Sequence, residues 1–497
     1  MSRGLYREVS PHRCETVGGP RGNPVWVTNS ATARDTAGRG RLRPRRAARP
    51  VPGATRGTHF RKPTPMALSR TGQRMLATLR DTTFRSLRHR NYRRYFAGQI
   101  VSFVGTWMQS AALMWLMYDR TGDPRWPSWL LVAQVGPTLA FGAWGGALAD
   151  RYPKRTLVLF TQTAFLVNAV VLTVLVGAGV ATPYLVLALI GFNGVIQAVD
   201  FPARLAFVPD LVPKEDLINA VGLNSLVFNS ARAVGPAVAG LLFVAAGKVA
   251  PYLPEGTSGV TIGATTCFAL NALSFLAVLR ALRRIPEPRR HEKPAASPLA
   301  GVLYLREHPA LGAVVLFTFA LSAFGWPVIT VLPAYTRLQL GLKEEAYSLL
   351  LSSLGAGALG AALATATFGS VSRRGAFLIT GAAACAAGMA GLGFAQVIWL
   401  ACGCCAAVGF GMILFLSTAQ STLQLAVPDE VRGRVMAVWA MTLSGSAPIG
   451  HLLAGHAITV AGVGPVLFGM AAGIGAVFLL LAGMALARRN SPPGPAP

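Results

Sequence analysis

The sequence has few acidic residues and little charge of any kind, and this scarcity excludes most classes of soluble protein. Asp and Glu number 19 among 497 residues, charged residues make up 13% of the chain, and apolar residues make up 53%. A soluble domain carries about twice that fraction of charge. Mean hydropathy is positive, at +0.47. The composition therefore indicates a membrane protein.

The chain also lacks the motifs of an ATPase, a hydrolase or a metalloprotein. No G-x-x-x-x-G-K-[ST] loop is present; the segment from Gly240 to Lys248 comes nearest, but its spacing is wrong. The cysteines in apolar runs have no His or carboxylate at metal-ligand spacing and are interpreted as packing residues: Cys267, Cys385, Cys402, Cys404 and Cys405. We expect no enzyme, cofactor or metal site, so any transport work must draw on an ion gradient or on the substrate's own gradient.

Basic charge is concentrated before the first apolar run. The net charge is +27, and about 20 of the 46 Lys and Arg residues precede residue 91, so the charge does not predict a folded nucleic-acid surface. Residues 1–83 form a basic segment whose first part lacks apolar periodicity, which predicts disorder, and it has no apolar core of a secretory signal. The change in composition suggests Met66 as an alternative start.

Roughly twelve apolar runs of about 20 residues follow, and each is long enough to span a bilayer. The sequence predicts an all-α membrane protein with 12 transmembrane helices in two six-helix halves, 84–281 and 309–487, joined by a cytoplasmic linker, 282–308, and followed by a tail, 488–497. The runs are 95–118, 128–149, 156–178, 183–205, 220–247, 259–281, 309–335, 346–369, 375–396, 397–424, 435–460 and 464–487.

The connecting loops differ in basic charge, which predicts orientation. One set carries Arg151, Lys154, Arg155, Lys214, Arg283, Arg284, Arg289, Arg290, Lys293, Arg306, Arg373, Arg374, Arg432, Arg434, Arg488 and Arg489. The alternate set carries Arg120, Arg125, Lys248, Arg337 and Lys343. The positive-inside rule places the first set and both termini in the cytoplasm. We expect a multi-pass protein of the cytoplasmic (inner) membrane.

Short motifs recur six runs apart, which supports two parallel halves. Residues 207–213, Phe-Val-Pro-Asp-Leu-Val-Pro, resemble residues 426–432, Ala-Val-Pro-Asp-Glu-Val-Arg. Residues 146–151, Gly-Ala-Leu-Ala-Asp-Arg, have a weaker counterpart in residues 369–374, Gly-Ser-Val-Ser-Arg-Arg.

Polar side chains form stripes on the first, fourth, seventh and tenth runs. Such stripes either join helices or line a cavity, and their recurrence favours a central polar cavity. The candidate cavity residues are Gln99, Ser102, Thr106, Gln109, Asn193, Gln197, Ser322, Trp326, Ser417, Ser421 and Gln424.

Three charged residues inside the runs need partners. Asp200 and Arg204 are one helical turn apart, so a same-helix ion pair is available, and a protonatable or gating carboxylate is the alternative. Arg232 lies about a dozen residues into the fifth run. It requires a carboxylate, a substrate anion or a water-filled cavity, which leaves a structural pair and a substrate or coupling role open.

These motifs together resemble the major facilitator superfamily. Residues 146–155, Gly-Ala-Leu-Ala-Asp-Arg-Tyr-Pro-Lys-Arg, are similar to its signature loop, in which the residues matching Asp150, Arg151, Lys154 and Arg155 form a charge relay that latches cytoplasmic helix ends. Residues 200–204, Asp-Phe-Pro-Ala-Arg, and 232–240, Arg-Ala-Val-Gly-Pro-Ala-Val-Ala-Gly, resemble the secretion-effector branch that includes enterobactin exporters. Gly235, Pro236 and Gly240 also resemble the antiporter motif of drug exporters.

The resemblance implies the major facilitator fold and export of a small hydrophobic or amphipathic molecule, a siderophore or drug-like compound, by proton antiport with alternating access. The residues alone are nearly as consistent with an uncoupled facilitator or importer of a small solute, and a non-transporting scaffold or sensor is the alternative of another class. We expect a monomer in the lipid bilayer whose partners are the substrate and protons, with no nucleic acid.

Overall fold

Helices account for all regular secondary structure in the part of the chain that the computed structural model describes, residues 84–254, 258–287, 299–368 and 374–490. All of these residues belong to one unit of the chain, 68–497. The predicted basic segment 1–83 with Met66, the motif counterpart at 369–373 and residues 491–497 of the tail lie outside the described residues.

The first half contains six long helices, and the second half contains shorter elements as well. The helices are α1 (Arg90–Thr121), α2 (Arg125–Arg151), α3 (Lys154–Gly177), α4 (Pro183–Phe207), α5 (Leu217–Val249), α6 (Gly259–Arg283), α7 (Leu299–Glu307), α8 (Pro309–Gly325), α9 (Val328–Ala334), α10 (Glu344–Phe368), α11 (Arg374–Phe394), α12 (Ile398–Ala426), α13 (Asp429–Ala461) and α14 (Val463–Asn490). Each predicted run coincides with helix, although the ends differ by several residues.

Local sequence signals explain where several helices begin and end. The Thr182 hydroxyl accepts a hydrogen bond from the Leu185 N–H (3.3 Å) ahead of α4, and the Ser258 hydroxyl accepts one from the Thr261 N–H (3.1 Å) ahead of α6. Both satisfy a backbone donor that has no partner within the helix. α1 ends at Gly122, whose φ of 64° lies in the left-handed region that glycine adopts without strain.

Ten helical segments of the described residues are long and apolar enough to cross a bilayer. α2 and α13 are not among them, although they occupy the positions of the second and eleventh predicted spans. α2 contains Gln134 and Pro137, and α13 carries Arg432 and Arg434 in its first turns. The count of twelve membrane spans therefore stays a prediction.

The seventh predicted span is interrupted, which the sequence analysis missed. α8 ends at Gly325, α9 begins at Val328, and a π-helix, Tyr335–Gln339, follows. Residues 326–327 form a turn here, and Pro327 favours the break because it has no N–H to donate and its ring crowds the preceding turn. Trp326 lies at the interruption, and discontinuous helices of transporters commonly form binding sites.

The two halves repeat one pattern of helix neighbours. In the first half α1 packs on α5 and α6, α2 on α4, and α3 on α4 and α6. In the second half α8 packs on α13 and α14, α10 on α12, and α11 on α12 and α14, which is the same set of pairs six spans later. α5 packs on α10 and α2 on α13 across the halves. The shared pattern is that of parallel structural repeats.

The buried core differs between the two ends of the bundle. We call the end that carries Lys154, Lys214, Arg283 and Arg432 the basic end, and the other the opposite end. Near the basic end the described core includes one cluster of the first half, between Tyr92 and Ile285, and one of the second half, between Leu305 and Trp439. Two smaller clusters also belong to one half each. Toward the opposite end a single cluster contains residues of both halves. The halves are therefore joined toward one end.

Candidate functional site

A buried carboxylate in α4 forms the first charged site. Asp200 is 0% exposed, and its Oδ2 lies 2.6 Å from the Arg204 Nε. Its Oδ1 accepts hydrogen bonds from the Thr161 hydroxyl (2.7 Å) and the Gln162 amide (3.0 Å), both in α3. The Arg204 Nη1 donates to the Gln99 Oε1 (3.1 Å) in α1. The Asp200 and Arg204 side chains thus form the same-helix ion pair that their spacing makes available.

The second charged site is Arg232 in α5. The residue is 5% exposed, and its buried Nε and Nη1 have no hydrogen-bond partner. Its guanidinium carbon lies 5.0 Å from the Trp107 ring centroid, 5.4 Å from that of Phe228 and 5.0 Å from that of Trp326. Trp107 and Phe228 belong to the first half and Trp326 to the second, so the aromatic cage joins both halves.

Two aromatic rings connect the charged sites. The Arg204 guanidinium lies 5.5 Å from the Phe103 ring centroid. The Phe103 and Phe228 rings meet edge-to-face with centroids 5.6 Å apart, and Phe228 in turn contacts Arg232. A continuous chain of contacts thus runs from the Asp200 carboxylate to the Arg232 cage.

Some predicted cavity residues are buried within one half. These are Gln99, Ser102, Gln109 and Ser322. Gln109 accepts a hydrogen bond from the Asn271 amide in α6 (2.8 Å), and the Ser322 hydroxyl donates to the Leu443 carbonyl in α13 (2.7 Å). These contacts join neighbouring helices.

The other predicted cavity residues are at least partly accessible. Thr106 and Gln424 are exposed, and the half-buried residues are Asn193, Gln197, Trp326, Ser417 and Ser421. Among the eleven candidates, Trp326 contacts the Arg232 cage and Gln99 contacts the Asp200 cluster.

The signature-loop residues make contacts with their own half. Lys154 Nζ lies 2.8 Å from Asp210 Oδ2, and Arg155 Nε donates to the Leu282 carbonyl (2.8 Å). Arg155 also lies 3.7 Å from the Glu287 carboxylate. Asp150 and Arg151 are exposed at the end of α2. These contacts connect the start of α3 to the segment after α4, to the end of α6 and to the residues that follow α6.

Small residues of α5 allow close approach by both halves. A Cβ atom on Gly235 would lie 2.6 Å from the Trp107 Cβ in α1, and one on Gly240 would lie 2.9 Å from the Ser348 Cβ in α10. Pro236 is buried inside α5, which continues through it from Leu217 to Val249. The sequence motif thus lies where α5 contacts its neighbours most closely, as expected for small residues at helix interfaces of membrane proteins.

Aromatic contacts connect the halves toward the opposite end. Trp115 of α1 stacks on Tyr347 of α10 with centroids 5.6 Å apart, and Trp129 of α2 lies 6.3 Å from the His456 ring of α13. A cavity of about 490 Å³ at this end is lined by residues that include Trp126, Tyr184 and His456. Asp123 also lines the cavity, and the hydrogen bond from the Arg125 side chain lowers its carboxyl pKa.

Sequence reasoning missed the partners that define both charged sites. Thr161 and Gln162 of α3 precede Asp200 by 39 and 38 positions, and their orientation toward α4 depends on helix packing. Trp107 and Phe228 resemble ordinary apolar residues of a membrane helix. The available signal was the spacing of Phe228 and Arg232, which places them on one face of α5.

The fold and these buried sites define a multi-pass helical membrane transporter of the major facilitator superfamily. More particularly, the chain belongs to the transmembrane secretion effector family, whose model matches residues 81–494. Transporters of this kind are not enzymes.

Curated relatives include siderophore transporters. The chain is 25% identical over 272 residues to the staphyloferrin A transporter of Staphylococcus aureus, a match that covers 54% of this chain and 65% of that protein, just under two thirds. It is 26% identical over 428 residues to the enterobactin exporter EntS of Citrobacter koseri, covering 82% of this chain and 95% of that protein.

Solved structures support the fold. The nucleoside transporter NupG (D323A mutant) has a TM-score of 0.64 at 12% identity, over 79% of this chain and 99% of that one. A bacterial homologue of the iron transporter ferroportin, in an inward-facing state, has a TM-score of 0.58 at 16% identity, over 79% of this chain and 98% of that one.

Proposed function

We propose that this protein exports a small hydrophobic or amphipathic molecule, of the siderophore or drug-like class, from the cytoplasm in exchange for protons. The names of its relatives support the substrate class. The observation that carries the mechanism is the buried Asp200–Arg204 pair, because a secondary exporter needs a titratable group that communicates with its substrate site.

The two ends of the bundle support alternating access. If the basic end faces the cytoplasm, as the loop charges predict, the core joins the halves toward the outside and separates them toward the inside. This arrangement corresponds to an inward-facing state, ready to take substrate from the cytoplasm. The protein then works as a monomer in the inner membrane, with both termini cytoplasmic.

The chemistry of the Asp200 cluster supports the proposed proton coupling. Protonation of the carboxylate cancels its attraction for Arg204 and leaves a cation with fewer partners, which is costly inside a membrane protein. Phe103 and Phe228 connect Arg204 to the Arg232 cage. A change in the charge of Asp200 is therefore positioned to alter the contacts of the cage.

The test is substrate-driven proton release from everted vesicles that contain the protein, followed with a pH-sensitive dye and a panel of catechol siderophores and drug-like cations. The wild type is expected to collapse the proton gradient with at least one substrate class. Asp200→Asn should abolish this flux because an amide does not titrate. Asp119→Asn is the control, since it removes an exposed carboxylate at the opposite end.

A double variant, Asp200→Asn with Arg204→Gln, removes both charges and guards against misfolding of the single variant. Equal flux in the wild type and a folded Asp200 variant would contradict the assignment of Asp200. Substrate movement without any proton flux would favour an uncoupled facilitator. No movement of any panel compound would contradict export of these substrate classes.

A further inference from the structure

Arg232 is a buried cation, and two of its three guanidinium nitrogens have no hydrogen-bond partner among the described residues. Its Nε and Nη1 lie inside the protein without an acceptor, and no carboxylate among the described residues forms an ion pair with it. An uncompensated buried guanidinium costs several kcal/mol. The sequence left a structural ion pair and a substrate or coupling role open for Arg232, and these contacts favour the second alternative.

The aromatic cage stabilises the charge without satisfying its donors. Three ring centroids lie 5.0–5.4 Å from the guanidinium carbon. Such contacts attract the positive charge to the ring faces, but they supply no oxygen to the N–H groups. The cage can hold Arg232 in place and leave its Nε and Nη1 donors able to bind an acceptor.

The chemistry of this acceptor is restricted. A guanidinium presents parallel N–H donors that match the two oxygens of a carboxylate. The rings of Trp107 and Trp326 offer flat apolar surface to the body of such a molecule. A cation would be repelled, and a neutral ligand would leave the charge uncompensated.

We propose that Arg232, with Trp107, Phe228 and Trp326, binds the anionic group of the exported molecule, a carboxylate attached to an apolar or aromatic body. This inference rests on the proposed export function and specifies the charge of its substrate. Because Trp326 comes from the second half and the other members from the first, the site is complete only while the halves are joined here. A bound anion therefore stabilises this arrangement over one in which the cage separates.

The test is a binding measurement that does not depend on transport. Purified full-length protein is dialysed to equilibrium against radiolabelled 2,3-dihydroxybenzoate, and bound label is competed with unlabelled 2,3-dihydroxybenzoate, with the neutral 2,3-dimethoxybenzamide or with tetraphenylphosphonium. The anion should compete about 10- to 100-fold more strongly than the neutral analogue, the range expected for charge-assisted hydrogen bonds. The phosphonium cation should not compete.

Variants assign the binding to this guanidinium. Arg232→Gln should remove the preference for the anion, and Arg232→Lys should keep part of it because the charge remains without the planar donor pair. Arg337→Gln, which removes an exposed arginine, should bind as the wild type does. The wild-type competition alone decides the charge preference if a variant does not fold.

The outcomes separate this proposal from the function it rests on. Equal competition by anion, neutral analogue and cation in the wild type, no anion binding at millimolar concentration, or an unchanged preference in folded Arg232→Gln would each overturn the anion site, even if the vesicles show export. Arg232-dependent anion binding without substrate movement in vesicles would keep the site and overturn export.

Discussion

The two ends of the bundle use different interactions, and the difference shows which contacts hold the halves together. Toward the opposite end, apolar and aromatic residues of both halves form one core, in which Trp115 stacks on Tyr347. At the basic end, charged residues pair within the first half, as Lys154 does with Asp210. The described contacts between the halves are therefore mainly packing contacts, whereas the ion pair of Lys154 with Asp210 connects two segments of the first half.

This comparison fits the alternating access proposed above, in which the halves separate and rejoin. Packed small and aromatic residues have no charge to desolvate when the interface forms or opens, whereas buried ion pairs across it would resist opening. Trp326 contacts Arg232 in the aromatic cage and also packs against the core that joins the halves. The charged sites are thus positioned to respond when the interface changes.

The largest expected effect comes from removing the Trp115 stack. Trp115 is 0% exposed, so Trp115→Ala leaves a cavity in the joined core and should lower the free energy of unfolding by about 3–5 kcal/mol. Thermal unfolding of the purified protein measures the loss. Trp399→Ala is the matched control, because Trp399 is 73% exposed and should change stability little. Equal losses in both variants would show that Trp115 has no special part in joining the halves.

A smaller effect should follow from adding one methyl group between the halves. A Cβ on Gly355 of α10 would lie 2.5 Å from the Ala233 nitrogen and the Arg232 carbonyl of α5, so Gly355→Ala forces two backbones apart. We expect the free energy of unfolding to fall by about 1–3 kcal/mol. We also expect faster maleimide labelling of a cysteine introduced at position 128, at the opposite end. Gly222→Ala in α5 is the control, since nothing lies within 4 Å of its Cβ. A Gly355→Ala protein that matches this control in both readouts would contradict the close α5–α10 contact.

The smallest effect is expected at the basic end. Lys154 and Asp210 have side chains that are 18% and 11% exposed, and their pairing should contribute about 1 kcal/mol or less. A double-mutant cycle with Lys154→Met and Asp210→Asn measures this coupling free energy. The maleimide labelling rate of a cysteine at position 128, at the opposite end, should stay unchanged in the two single variants and in the double variant. Faster labelling there would mean that the pair also holds the halves together.

Much of the fold was predictable because apolar run length and loop charge are local properties. α6, Gly259–Arg283, matches the predicted run 259–281 to within two residues. The interruption at Pro327 was missed because the run around it stays apolar on average, and hydropathy does not register a missing N–H. α2 and α13 fall short as apolar spans because their polar residues dilute runs that looked continuous.

The charged sites were predictable only where one helix contains both partners. The i, i+4 spacing of Asp200 and Arg204 indicated their ion pair directly. The contacts of Thr161 with Asp200 and of Trp326 with Arg232 join different helices, and no local pattern specifies them. Polarity alone also could not separate Ser322, which bonds to α13, from residues that line a cavity.

Accessibility from the two sides of the membrane tests the central claim most directly. In a cysteine-free background, Ser128→Cys reports on the joined opposite end, where Ser128 is 0% exposed and faces Gly455 of α13, and Ser225→Cys reports on exposed α5 surface nearer the basic end. Both are labelled with a membrane-impermeant maleimide in everted and right-side-out vesicles. Without substrate, we predict that the cysteine at 225 is labelled from the cytoplasmic side and that the cysteine at 128 is protected from the outside. When substrate and a proton gradient drive turnover, the protection at 128 should be lost. Labelling at 128 as fast as at 225 without substrate, or rates that never respond to turnover, would contradict the account.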